Sequence, residues 1–354
     1  MDIDFSEINY LKDPTWQDLH ADYEQFLLSM TGPTVIDISG INPNKCRVFT
    51  TLLHGNEPSG LIAIHRYLTE VLEQEKPATN LRFIVCSVEA AATRPLFSNR
   101  YISGGMDINR CFGKNCSFQC NEGQRGYCQR AALIEHAIRE VSPEMVIDLH
   151  NSSSSGPTFS VSSVVTTETL SLASLFCQTL ILSDLTMGSI MEQDFNCPFI
   201  TIECGGCQDE QAHEIAFSGI SQVASCENIG YIHQEKPVEV IYRPLRLQLK
   251  AQVKLSYAQH DEGYSGVTLK DNIECFNFGS AHQDEMLGWI DGNGLENLQL
   301  IDKCGKNVLD EYFYARDNQL VCRHNLRLFK ATTNKNTAMN DCLFYVVKLS
   351  SVEV

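Results

Sequence analysis

Positive charge is scarce in this 354-residue sequence: 27 Lys and Arg face 44 Asp and Glu, for a formal net charge of −17. So acidic a chain repels phosphate backbones, which argues against nucleic acid as a partner. Anionic membrane surfaces are disfavoured on the same ground. A small anionic ligand remains compatible with the charge if arginines concentrate at its site. No apolar run approaches the ~18 residues that a membrane span needs. The segment Met1-Asp2-Ile3-Asp4-Phe5 has neither the basic nor the apolar region of a secretory leader. There is no internal repeat and no low-complexity linker; the serines at 152–155 are too few to make one. The 15 cysteines are odd in number and come without a leader. The expectation is a reducing cytoplasm and mostly free thiols rather than a disulfide framework.

With 43% hydrophobic and 20% charged residues, the composition is that of a globular chain, long enough for roughly two domains of ~150 residues. Up to about residue 235, strand-like and helix-like segments alternate. Arg47–Leu53, Leu81–Val88, Met145–Leu149 and Pro198–Ile202 are short apolar runs of strand length. Leu61, Ile64, Leu68, Val71 and Leu72 recur at helical spacing, as do Leu133, Ile134, Ala137, Ile138 and Val141 ahead of Pro143. Segments 170–182 and 210–223 also read as helices. This alternation implies crossover units and a mostly parallel or mixed sheet flanked by helices, over residues 1–235. Beyond that the period becomes two. Leu245 to Leu255 alternate with Arg246 to Lys254 as one half-buried antiparallel strand. Further strands are expected at 273–278, 286–290, 298–301, 311–314, 326–329 and 343–347, with turn chemistry at Asp291-Gly292-Asn293-Gly294. Residues 236–354 should therefore form a smaller all-β domain.

His54-Gly55-Asn56-Glu57-Pro58 follows the first of these strands, and Asp148-Leu149-His150-Asn151 ends another. Open parallel sheets bind ligands beyond the carboxyl ends of their strands. An imidazole and a carboxylate three residues apart at a strand-to-helix turn can grip one Zn2+, and His150 supplies a third ligand from the same edge, leaving a position for water. The expected cofactor is one zinc ion per chain. Ile202-Glu203-Cys204-Gly205 ends a third strand, and Glu203 beside such a site can accept the proton of the attacking water. In the loop Asp107-Ile108-Asn109-Arg110, Arg110 can clamp a carboxylate by two hydrogen bonds and Asn109 can hold one of its oxygens. Arg100 could stabilise an oxyanion. Asn151 is a further candidate for substrate contact. Cys111, Cys116, Cys120 and Cys128 cluster after Arg110, and Cys204 and Cys207 flank the proposed catalytic turn, but their spacings match no metal pattern. His65, His136 and His213 read as helix-surface histidines.

The four motifs, in this order, resemble the succinylglutamate desuccinylase and aspartoacylase family, a branch of the zinc carboxypeptidase-like hydrolases. The match runs over about residues 45–230, and the family also ends in a β-rich domain. The resemblance implies His54, Glu57 and His150 as zinc ligands and Glu203 as general base. It implies Asn109 and Arg110 at the substrate carboxylate and Arg100 at the scissile carbonyl. Arg100 stands two residues further from the Asn-Arg pair than in aspartoacylase-like sequences. A tyrosine from the β domain is also implied, with Tyr312 and Tyr314 as candidates. Aspartoacylases carry an arginine about ten residues before the catalytic glutamate; here that stretch is Met191-Glu192-Gln193-Asp194. Acetylaspartate is therefore not the expected substrate. The reading is a cytoplasmic zinc-dependent deacylase acting on a small anionic N-acyl amino acid, with homo-oligomerisation left open. The alternatives are a metallocarboxypeptidase acting on peptide C-termini, or a non-catalytic zinc- or thiol-binding regulator. An ester in place of the amide would need the same chemistry.

Overall fold

The strand Met145–Ser152 is buried at every residue but its last, as a strand must be when both faces of its sheet are covered. The structure, a computed structural model, describes residues 3–113, 125–152, 156–231, 237–340 and 342–349. It divides into two compact units, Met1–Ser152 with Thr158–Ile241, and Ser153–Pro157 with Tyr242–Val354. Among the described residues no helix is long and apolar enough to cross a membrane.

The first unit carries β1 (Asn9–Lys12), β2 (Thr34–Ile38), β3 (Asn42–Thr51), β4 (Thr79–Val85), β5 (Met145–Ser152), β6 (Phe159–Ser162), β7 (Thr179–Leu182), β8 (Phe199–Gly206) and β9 (Glu239–Tyr242). They form one sheet in the order β1-β2-β4-β3-β5-β8-β6-β7-β9. The centre, β4-β3-β5-β8, is parallel, with antiparallel joints at β2·β4 and β6·β8. The fold class is thus mixed α/β. The helices are α1 (Trp16–Leu19), α2 (Tyr23–Ser29), α3 (Ser59–Arg66), α4 (Val88–Ala92), α5 (Arg125–Arg139), α6 (Thr167–Ser174) and α7 (Glu210–Ser225). Successive strand residues point to opposite faces, so neighbours enter different cores. Phe49, Ile147 and Ile200 pack with Leu61 of α3 and Ile220 of α7, whereas Val48, Val146 and Phe199 pack with Ile134 and Ile138 of α5.

Arg47 of β3 is wholly buried. Its Nε donates to Glu144 Oε2 at 2.9 Å, and its Nη1 donates to Val223 O and, at 2.6 Å, to Cys226 O. The guanidinium therefore satisfies carbonyls at the end of α7, where helix carbonyls lack intrahelical partners and a cation suits the dipole.

Among its described residues the second unit is all-β apart from one short helix and 3-10 turns. Its strands are β10 (Leu245–Leu249), β11 (Leu255–Ala258), β12 (Val267–Lys270), β13 (Ser280–Ala281), β14 (Met286–Ile290), β15 (Leu298–Leu300), β16 (Phe313–Arg316), β17 (Gln319–Cys322), β18 (Leu326–Phe329) and β19 (Phe344–Lys348), with α8 at Lys335–Asn340. They make two five-stranded sheets, β13-β18-β19-β10-β15 and β11-β12-β14-β17-β16, sharing a core that includes Leu247, Leu269, Leu287, Leu320, Leu328 and Phe344.

Several expectations need correction. The alternation from Leu245 to Leu255 is not one strand: β10 stops at Leu249, Gln252 takes a positive φ of 68°, and β11 begins in the other sheet. Period-two patterning continues across a turn when both flanking strands line the same core. Segment 170–182 is the end of α6 followed by β7, because a short apolar run does not distinguish buried helix from buried strand. Ile273–Phe276 is a 3-10 turn, and another at Leu309–Glu311 precedes β16. Cys111, Cys204 and Cys207 are free thiols, but Cys128 is disulfide-bonded. Spatial approach of two Cβ atoms, not cysteine parity, decides bridging. Cys116 and Cys120 lie outside the described residues.

Replacing Arg47 with Met should destabilise the first unit by about 3–5 kcal/mol, the scale of a broken buried ion pair. Urea unfolding followed by circular dichroism measures it; a loss under ~1 kcal/mol would mean that water replaces the guanidinium freely.

Candidate metal centre

Three strand ends build the site. After β3, Leu52 adopts a positive φ of 53°, a conformation that costs a branched side chain and persists only where neighbours hold it. Here Ser87 N donates to Leu52 O at 2.8 Å and Ser87 Oγ to Leu53 O at 3.0 Å. The turn delivers His54. Gly55 follows because nothing larger fits: a Cβ there would lie 2.6 Å from Ala91 N and 2.7 Å from Asn99 O. Glu57 then sits one turn on, with its N–H donating to His54 O at 3.2 Å, just before α3. On β5, His150 lies two residues beyond Asp148, so both side chains share a face of the sheet.

His54, Glu57 and His150 are all buried and offer ligand atoms within 4.8 Å of one another; they could hold a metal ion. His54 Nδ1 lies 2.9 Å from Glu57 Oε1, and His150 Nδ1 lies 2.6 Å from Glu57 Oε2. The opposite ring nitrogens face carboxylates too: His54 Nε2 is 3.0 Å from Asp107 Oδ1, and His150 Nε2 is 2.6 Å from Asp148 Oδ2. Thr50 Oγ1 donates to Asp148 Oδ1 at 2.7 Å and fixes that carboxylate in turn. Such outer carboxylates orient a ligating imidazole and raise its basicity. Burial pushes the Glu57 carboxyl up in pKa, but His54 and His150 outweigh it and hold the group well below the usual carboxylate range. Burial likewise pushes His150 down, yet Asp148 and Glu57 raise it well above the usual imidazole value. Asp107 is lowered by His54, Arg100 and Arg110 against the opposing effect of burial. Asp107 and Asp148 stand in the sequence motifs but have no residue-level signal of their own; only their distances to the histidines reveal the role.

Glu203 on β8 pairs with His150 across the parallel ladder, which sets it beside the cluster. It is buried, and Ser152 Oγ donates to its Oε2 at 3.3 Å. Arg100 reaches over the cluster: Nη2 donates to Asp107 Oδ2 at 3.0 Å, Nη1 donates to Glu57 Oε1 at 3.3 Å, and Nη2 lies 2.7 Å from His54 Nε2. Asn109 Oδ1 accepts from Ile190 N at 2.9 Å, and Arg110 Nη1 donates to Asn109 O at 2.9 Å. Both amide hydrogens of the buried Asn151 are taken up within the protein, by Ser59 Oγ at 2.7 Å and Gly205 O at 3.0 Å. In the second unit, Tyr314 donates to Asp284 Oδ1 at 2.6 Å, and Tyr312 packs against that unit's core.

The histidine expectations hold for His136 only, whose side chain is 72% exposed. His65 is buried, 3.2 Å from Leu19 O, because α1 and α2 cover its helix. His213 is half-buried, and its Nδ1 lies 2.7 Å from Ser59 Oγ.

Residues 49–218 match the model of the succinylglutamate desuccinylase/aspartoacylase catalytic domain. The match spans 170 residues, just under half of the chain. Members of that family are hydrolases, deacylases of small N-acyl amino acids. No curated protein matches the chain. Among solved structures, it is similar to the succinylglutamate desuccinylase of Vibrio parahaemolyticus at 13% identity and TM-score 0.59, over 92% of this chain and 94% of that one. The Vibrio cholerae succinylglutamate desuccinylase gives 13% and 0.58, over 93% and 95%. Murine aminoacylase 3 gives 13% and 0.53, over 87% and 96%. At these identities the likeness is one of fold, and its coverage takes in the β-rich second unit as well as the first.

Asp148→Asn should weaken divalent-cation binding about 10–100-fold, as loss of an outer carboxylate typically does. Competition against a chromophoric chelator reads this directly; unchanged affinity would mean that Asp148 does not support His150.

Proposed function

We propose that the chain is a zinc-dependent hydrolase that removes a short acyl group from an N-acyl amino acid. One arrangement carries the reading: two buried imidazoles turn their Nδ1 atoms to one carboxylate and their Nε2 atoms to outer carboxylates, with Glu203 in register on the next strand. The donor set fits zinc, which takes His and carboxylate ligands together, better than magnesium or calcium, which favour all-oxygen sites. Bound zinc supplies a Lewis acid and a water whose pKa falls towards ~7.

The chain's own residues do the rest. Glu203 takes the proton from the attacking water and passes it to the leaving amine. Arg100, held by Asp107, faces the charge that develops on the scissile carbonyl oxygen. Arg110 and Asn109 hold the carboxylate of the amino-acid moiety, which answers the chain's overall negative charge with a local cation. Where relatives of the aspartoacylase type have an arginine, Gln193 lies with its amide against Gly113, three residues past Arg110. A neutral amide favours a neutral substrate side chain over an acidic one.

A hydrolysis screen of acetyl, succinyl and longer acyl derivatives of many amino acids tests the reading. His54→Ala should lose most of about one zinc per chain. Glu203→Gln should keep the metal while activity falls ~10²-fold or more; a folded Glu203→Gln variant with full activity would remove Glu203 as the base.

Arg110→Lys keeps the charge but loses the fork. The expected loss is about 1.5–3 kcal/mol in transition-state binding, or roughly 10–150-fold in kcat/KM. On matched acyl-Asp and acyl-neutral pairs, the neutral substrates should equal or exceed acetylaspartate. A strong preference for acetylaspartate together with a silent Arg110→Lys would overturn this account of the pocket.

A further inference from the structure

The ladder between β5 and β8 breaks beside the site. His150 pairs with Glu203, but Ser152 pairs with Gly206, so β8 carries one extra residue at 204–205. Gly205 takes a φ of 121°, open to glycine and strained for other residues. Such a bulge bends its strand and re-aims nearby side chains. Asn151 closes the break: its Nδ2 donates to Gly205 O at 3.0 Å and approaches Gly206 O at 3.4 Å. Its other amide hydrogen goes to Ser59 Oγ, its Oδ1 accepts from Ser59 N at 3.0 Å, and its own backbone N–H donates to Glu57 Oε2 at 3.3 Å. Since Ser59 Oγ accepts from Asn151, the single hydroxyl hydrogen of Ser59 is free to donate to His213 Nδ1 on α7, 2.7 Å away. Gly206 N, on the far side of the bulge, donates to Asp209 Oδ2 at 3.1 Å, at the start of the same helix.

We propose that Asn151, Ser59 and His213 form a positioning relay that pins the β8 bulge to α3 and α7, and so holds Glu203 at a set place relative to Glu57. The inference rests on the reading of Glu203 as the base, and assigns Asn151 to geometry rather than to substrate contact. The half-exposed His213 gives the safest test. His213→Ala removes the acceptor, whereas Asn at that position returns an oxygen close to where Nδ1 stood. In the zinc-loaded full chain, His213→Ala should lower kcat several-fold with KM and metal content unchanged, and His213→Asn should restore most of it. Asn151→Ala should lower kcat by about 10–100-fold, the scale of a sub-ångström to ångström misplacement, again without a rise in KM.

A rise in KM at unchanged kcat in Asn151→Ala would make Asn151 a substrate contact and overturn the relay. Equal kcat in His213→Ala, His213→Asn and the parent would overturn it too, even with a lower melting temperature, since a merely structural bond shifts stability alone. Should Asn151→Ala not fold, the His213 pair decides. Glu203→Gln, run alongside, separates the two ideas: an active Glu203→Gln sinks the base assignment, while an inactive one beside a silent His213→Ala sinks only the relay.

Discussion

A buried carboxylate between two imidazoles is the interaction on which the rest of this site depends. Glu57 is almost fully removed from water, and an ionised carboxylate in that position is costly unless it is paired. His54, in the turn after β3, and His150, on β5, pair it. Each histidine must therefore be held by its own partner, and Asp107 and Asp148 supply that hold. Removing either histidine takes one partner from the buried Glu57 carboxylate and leaves the remaining contacts to hold it.

The sheet is what allows such an assembly. Parallel strands β3, β5 and β8 lie side by side with their carboxyl ends together, and each end contributes one part: the His54–Glu57 turn, the Asp148–His150 pair and Glu203. Helices α3 and α7 cover one face and α5 the other, so the strands feeding the site are rigid while the turns leaving them are free to carry chemistry. Local departures from regular structure fall at these turns. Leu52 has a positive φ just before His54, Gly55 is packed too tightly for a side chain, and the β8 bulge follows Glu203.

Much of this was legible in the sequence. The order of the four motifs led to the family resemblance, and the apolar runs at 47–53, 81–88, 145–149 and 198–202 marked the four central strands, since strands covered on both faces are predominantly apolar along their length. Three of the motifs adjoin three of those runs, so placing the strands also placed His54, Glu57, His150 and Glu203 at one edge. The short strands β1 and β6 carried no comparable run, while Val35-Ile36-Asp37-Ile38 of β2 did, matching Val146-Ile147-Asp148-Leu149 of β5, and was passed over. Periodicity misread 170–182, 245–255 and 273–278, where local apolar content is shared by strand, helix and turn.

What the sequence determined by itself was the chemistry available: which donor atoms exist, at what spacing along the chain, and in an acidic background that makes each arginine near the site conspicuous. Tertiary structure alone decided which second partners those atoms meet. Asp148 is two residues from His150, but Asp107 is 53 residues from His54, and Ser59 meets Asn151 and His213 across 92 and 154 residues. The same holds for Arg47, a charged residue within an apolar strand, which is buried because three groups from distant segments surround it. Hydrogen bonds of this kind depend on distance in space and on burial, and neither quantity is written in the periodicity or composition of a chain.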